Sequence, residues 1–143
     1  GGLGWTAYYC YKFGIKNYTM VDLLIPQVCQ LNYLPRVLSE DDIINEKQIV
    51  NFENLENKIK IISPNYLFKK NIRYDLIFNS DSITQNKYVN FIKENAKYFY
   101  SINHESNKNK VNHLFSKLNI TAFDRNLYWL RKGYLEEHFR FNL

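Results

Sequence analysis

Three glycines, Gly1, Gly2 and Gly4, stand directly ahead of a helix-like segment, Trp5 to Phe13. Asp22 follows at the end of a strand-like run, Tyr18 to Asp22, at the interval of about twenty residues that separates a phosphate turn from a ribose acid in nucleotide-binding units. Small residues let a ligand approach the backbone, a helix start offers N–H groups that no earlier turn has used, and a carboxylate at a strand end accepts ribose hydroxyls. Glycine turn, helix, strand, acid is therefore an order suited to holding a nucleotide. Asp22 suits equally well the N-cap of the helix that follows it.

Two more polar groups fall at strand ends. Tyr74-Asp-Leu-Ile-Phe78 runs into Asn79-Ser80-Asp81-Ser82, and Tyr98-Phe-Tyr-Ser-Ile102 runs into Asn103-His104-Glu105. Open α/β sheets bind ligands outside the carboxyl ends of their strands, which makes Asn79, Asp81 and His104 candidate catalytic residues. A neutral imidazole, with an ordinary pKa of about 6.5, takes a proton near neutral pH, so His104 suits a general base. Asp81 with Glu105 can supply oxygen ligands to a magnesium ion, but no third ligand is evident, and the base is preferred. Asn79 to Ser82 also fits a strand-to-helix cap, and His104 a polar loop. His113 and His138 carry no assigned role.

The elements that must position these residues alternate between strand-like and helix-like, the pattern of a sheet built from crossover units. Residues 4–14 are predicted helical and stopped by Gly14, and 17–22 are predicted as a strand. Leu23 to Leu38 carries Leu24, Val28, Leu31, Leu34 and Leu38 at helical spacing, with Pro26 in the first turn and Pro35 expected to kink or end the helix. Ser39 to Asn57 is expected to be a surface excursion with a short helix. Lys58 to Ile62 alternates as a strand and stops at Ser63-Pro64, and a loop leads to the strand at 74–78. Tyr88 to Ala96 is predicted helical, 98–102 a strand, and 106–119 a brief helix or lid. Two closing strands are expected at Tyr128 to Leu130 and Tyr134 to Phe141, joined by a tight turn at Lys132-Gly133.

At 143 residues, 45% hydrophobic and 17% aromatic, the chain suffices for one packed domain, so a single domain is expected over 1–143. Its apolar stretches are too short to span a bilayer and no export signal is visible, so a cytoplasmic protein without membrane insertion is expected. The net charge of +5 is spread among acids rather than gathered on one face, which argues against a nucleic-acid partner. Cys10 and Cys29 lack metal-ligand spacing and are expected to be free buried thiols. Trp5, Tyr8 and Tyr9 are expected to pack the first helix, and Trp129 to lie in the closing strands.

Five blocks in order, Gly1-Gly-Leu-Gly-Trp-Thr-Ala-Tyr-Tyr9, Tyr18-Thr-Met-Val-Asp-Leu23, Asp75-Leu-Ile-Phe-Asn-Ser-Asp-Ser82, Tyr100-Ser-Ile-Asn-His-Glu105 and Tyr128-Trp-Leu-Arg-Lys-Gly-Tyr134, resemble the sugar O-methyltransferases of bacterial surface-polysaccharide gene clusters. These are similar to class I S-adenosylmethionine-dependent methyltransferases. The resemblance implies an α/β Rossmann-like three-layer sandwich with a mostly parallel sheet and an antiparallel C-terminal hairpin. It implies S-adenosylmethionine as cofactor, held by Gly1, Gly2, Gly4, Asp22, Leu23 and Asn79, and a sugar or glycan hydroxyl as acceptor. It also implies an upstream first strand between the strands at 17–22 and 74–78, so these residues are expected to form a partial domain that binds cofactor weakly alone. A nicotinamide-dependent dehydrogenase shares the glycine turn and the acid, and a non-catalytic interaction protein is the third alternative.

Overall fold

The computed structural model describes residues 2–52, 54–70, 72–80, 86–104, 121–126 and 134–141, with side chains left aside at 86, 103, 104, 121–126 and 135. The chain divides into two compact units, Gly1–Lys70 and Asn71–Leu143. Both are α/β, the first with a three-stranded parallel sheet and the second with a four-stranded mixed sheet.

In the first unit, helix α1 (Trp5–Lys12) ends as the sequence requires. Gly14 adopts φ +88°, its N–H donates to Tyr11 O at 3.0 Å, and Ile15 N–H reaches back to Cys10 O at 2.8 Å. These two bonds satisfy carbonyls that a helix end leaves exposed. Strand β1 (Tyr18–Val21) leads into α2 (Leu24–Val37), and a 3-10 turn at Glu40–Asp42 leads into β2 (Ile43–Asn45). Strand β3 (Ile59–Ile62) lies between the other two, Tyr18 opposite Ile59 on one side and Ile43 opposite Ile59 on the other. Ala7, Met20, Leu34, Ile59 and Ile61 form the core. Ser63 caps α3 (Pro64–Phe68), its hydroxyl accepting from Tyr66 N–H at 3.2 Å with Pro64 in the first turn.

Several features depart from the sequence-based expectation here, beginning with β2, which lies within the expected surface excursion at 39–57, and α3, which lies within the expected loop before β4. Pro35 does not itself end α2, which runs two residues further to Val37. Leu24 and Val28 are exposed while Gln27, Gln30 and Leu34 are buried, so the inward face of α2 is rotated from its apolar spacing. Lys60 is buried despite the alternating pattern: its Nζ donates to Asn17 Oδ1 at 2.5 Å and to Lys58 O at 3.3 Å, and lies 5.4 Å from the Phe52 ring. The cysteines are free, but Cys29 is exposed and Cys10 half-buried.

In the second unit the strand order is β4 (Tyr74–Ser80), β5 (Ala96–His104), β7 (Tyr134–Arg140), β6 (Thr121–Asn126). β4 and β5 are parallel; β7 is antiparallel to both β5 and β6, giving the expected closing antiparallel pair. The first closing strand lies at 121–126, whereas Tyr128 to Leu130 and the turn at Lys132-Gly133 fall outside the described residues. Helix α4 (Asn86–Asn95) lays Val89 and Ile92 against Ala96, Phe99, Phe139 and Phe141, with Ile77 packed beside them. Phe99 and Phe139 stack at 5.6 Å between centroids. The segment 106–119, expected as a helix or lid, also falls outside the described residues.

Candidate functional site

The glycine turn and the acid meet in the first unit. Gly4 is the N-cap residue of α1 at φ +97° and, having no side chain, makes no side-chain cap bond to the first turn. A Cβ on Gly4 would approach Leu34 Cδ1 to 3.0 Å, so the turn lies flush against α2. Gly2, at φ +55°, has nothing within 4 Å of where its Cβ would stand. That open side is what close approach of a ligand to backbone requires.

Asp22 lies one residue beyond β1, its N–H donating to Ile62 O at 3.2 Å. Leu23, not Asp22, is the N-cap residue of α2. The Asp22 carboxylate accepts from Leu23 N–H through Oδ1 at 2.9 Å and from Gln30 Nε2 through Oδ2 at 3.0 Å. Gln30 Nε2 also donates to Gly2 O at 3.1 Å. One buried amide thus ties the turn to the acid, and Gln27 Nε2 adds a bond to Asp22 O. Leu23 is 69% exposed beside this carboxylate, with Leu24 and Ile25 also exposed, an apolar surface suited to one face of a nucleobase.

Gln27 and Gln30 are the residues that sequence reasoning missed. Their signal is present: with Leu34 they sit at helical spacing on one stripe, three and seven residues apart from Gln27, directly after the acid.

In the second unit Asn79 belongs to β4 and not to the loop after it. Its side chain is 3% exposed, and Nδ2 donates to Ser101 Oγ at 2.9 Å on the adjacent strand. His104 is the last residue of β5, in register with Tyr134. Gly1, Asp81 and Glu105 lie outside the described residues, as does the side chain of His104. Among the described residues no group of three or more His, Cys, Asp or Glu is placed to hold a metal ion.

On the sheet face away from α4, Phe78 and Tyr100 stack at 5.3 Å. The Tyr100 hydroxyl donates to Glu136 Oε1 at 2.9 Å, and His138 Nε2 lies 2.7 Å from the same oxygen. Sequence reasoning gave His138 no role.

No protein-family model matches the chain, and no curated protein matches it. The crystal structure of Thermoplasma acidophilum 1320 is similar over 98% of this chain and 88% of that one, at 9% identity and a TM-score of 0.43, a likeness too low to assign a fold. The fold is α/β, with one parallel and one mixed sheet. Among the described residues no helix is long and apolar enough to cross a membrane.

Proposed function

We propose that this chain is the cofactor-binding portion of a Rossmann-like, S-adenosylmethionine-dependent O-methyltransferase acting on a sugar hydroxyl in surface-polysaccharide synthesis, in the cytoplasm. The observation that carries this is the convergence of Gly2 and Asp22 on one buried amide, Gln30. An uncapped helix start behind the glycines and exposed Leu23 beside the carboxylate fit the same ligand. The order β4-β5-β7-β6, closed by an antiparallel pair, is compatible with the C-terminal half of such a sheet, and among the described residues β1 and β4 are each the edge strand of their own sheet.

When bound, S-adenosylmethionine supplies a methyl group on a sulfonium that is already a good leaving group. The chain has to fix the nucleoside, align the acceptor oxygen and receive its proton. Gly2, Gly4, Asp22 and Leu23 are assigned the first task. His104, the last residue of β5, is the proposed base, and Asp81, which follows Ser80 in the sequence, is kept as a further catalytic candidate. Asn79, buried against Ser101, is assigned to holding β4 and β5 in register rather than to touching substrate.

A nicotinamide-dependent dehydrogenase would use the same turn and acid. Thermal unfolding of the chain with S-adenosylhomocysteine and with NAD separates the two. A rise in Tm with the former alone, lost in Asp22→Ala, supports methyl transfer; a rise with NAD alone replaces it with hydride transfer. No rise with either leaves the interaction-protein alternative.

A further inference from the structure

Gln30 is fully buried, yet its amide is only half satisfied. Nε2 donates both hydrogens, to Gly2 O and to Asp22 Oδ2, while among the described residues Oε1 has no hydrogen-bond partner. The orientation is fixed by its neighbours. Turning the amide over would set its carbonyl oxygen against two oxygens that only accept. An orphaned buried carbonyl costs stability, and an apolar side chain of the same length would avoid that cost. Leu34, one turn further along the same buried stripe, shows that this surface of α2 accommodates such a side chain.

We propose that Gln30 is a positioning residue for a nucleoside site: its amide holds the Asp22 carboxylate and the Gly2 carbonyl at a fixed separation, so that a ribose diol meets a preset acceptor beside an open turn. This rests on the nucleotide-binding assignment of Gly2 and Asp22 above and adds a residue to it. The charged acceptor makes the bond to Asp22 the stronger of the two, and the bond to Gly2 carries that constraint to the turn. Preorganisation of this kind shows in affinity and not in folding, because the ligand then spends less of its binding energy on ordering the site.

Gln30→Met keeps length and volume and removes both donors. S-adenosylhomocysteine is titrated calorimetrically into the wild-type chain, Gln30→Met, Asp22→Ala and the double variant, and the Tm of each is recorded. The expected result is binding at least about ten-fold weaker in Gln30→Met with Tm unchanged or raised, and a double variant no weaker than Asp22→Ala alone, because both changes break one unit. Gln30→Met binding as tightly as wild type, while Asp22→Ala does not, overturns the role of Gln30 and leaves the site standing. Affinity losses that simply add, or a Gln30→Met chain that no longer unfolds cooperatively, overturn it as well, the second by making Gln30 structural. A wild-type chain that binds no probe overturns the nucleotide site and this inference together.

Discussion

Gly4 and Leu34 are in contact at the limit of what glycine permits: a β-carbon at Gly4 would stand 3.0, 3.1 and 3.2 Å from Leu34 Cδ1, Cγ and Cδ2. Leu34 has no exposed surface and belongs to the core of the first unit, so it cannot simply swing away. The entry to α1 is thereby fixed by packing as well as by its left-handed backbone.

Gly4→Ala should therefore destabilise on two counts, roughly 1–2 kcal/mol for the left-handed conformation and roughly 1–3 for overpacking. Gly14→Ala shares the first cost, at φ +88°, but meets nothing within 4 Å. Urea unfolding of both variants checks this. Equal losses would mean that Leu34 yields freely.

Alkaline pH should reveal one buried and one partly buried group with opposite signs. Burial holds the Lys60 ammonium below its ordinary value of 10.5 and pushes the Tyr18 hydroxyl up to about 12. For Lys60 the unfolded chain binds the proton more tightly, so stability rises as pH climbs from its folded value towards 10.5. For Tyr18 the folded chain keeps the proton longer, so stability present below about pH 10 is lost between about 10 and 12, at most roughly 2–3 kcal/mol. Denaturation midpoints from pH 8 to 12 should pass through a maximum near about pH 10. Lys60→Met should flatten the rising limb. Tyr18→Phe should make the fall shallower without abolishing it, because Tyr11, bonded to Asp42, and partly buried Tyr88 are also raised.

Asn79 and Ser101 should behave as a structural pair. Asn79→Ala is expected to cost about 1–3 kcal/mol of stability, and a double-mutant cycle with Ser101→Ala to give a coupling of about 1 kcal/mol. An Asn79→Ala chain as stable as wild type would return Asn79 to the list of substrate-facing residues.

The cap of α3 offers a smaller test. Ser63→Ala should lower stability by about 1 kcal/mol, and Ser63→Asp, which keeps an acceptor for Tyr66 N–H, should restore most of it. A full loss in Ser63→Asp would point instead to repulsion between the new carboxylate and Glu46, whose Oε2 accepts from the backbone N–H of residue 63.

Local signals in the sequence were sufficient where one element decides its own shape. The stop at Gly14, the strands at 18–21 and 59–62 and the proximity of the glycine turn to Asp22 follow from turn chemistry and short-range spacing. The inward face of α2 did not follow, because Leu24 and Val28 complete a convincing apolar stripe while Gln27 and Gln30 are drawn inward by polar bonds to Asp22 and, for Gln30, to Gly2, which apolar periodicity does not register. Strand β2 and helix α3 are too short, at three and five residues, to display any period. β4 and β5 run on through polar residues because their neighbours supply ladder partners, and the aromatic run at 128–130 drew the first closing strand away from its place at 121–126.

Strand β3 pairs with β1 and β2 at once, and all four of its residues are buried. The sheet of the first unit thus has no two-stranded precursor: β1 and β2 never touch, and the residue that precedes Asp22's ladder bond must wait for a segment far downstream. In a chain emerging from the ribosome, the glycine turn and its acid can rest on α2, but β1 has no ladder partner until Ile59 to Ile62 arrives. Closing that loop, rather than winding either helix, should set the pace at which this half of the protein becomes able to hold anything.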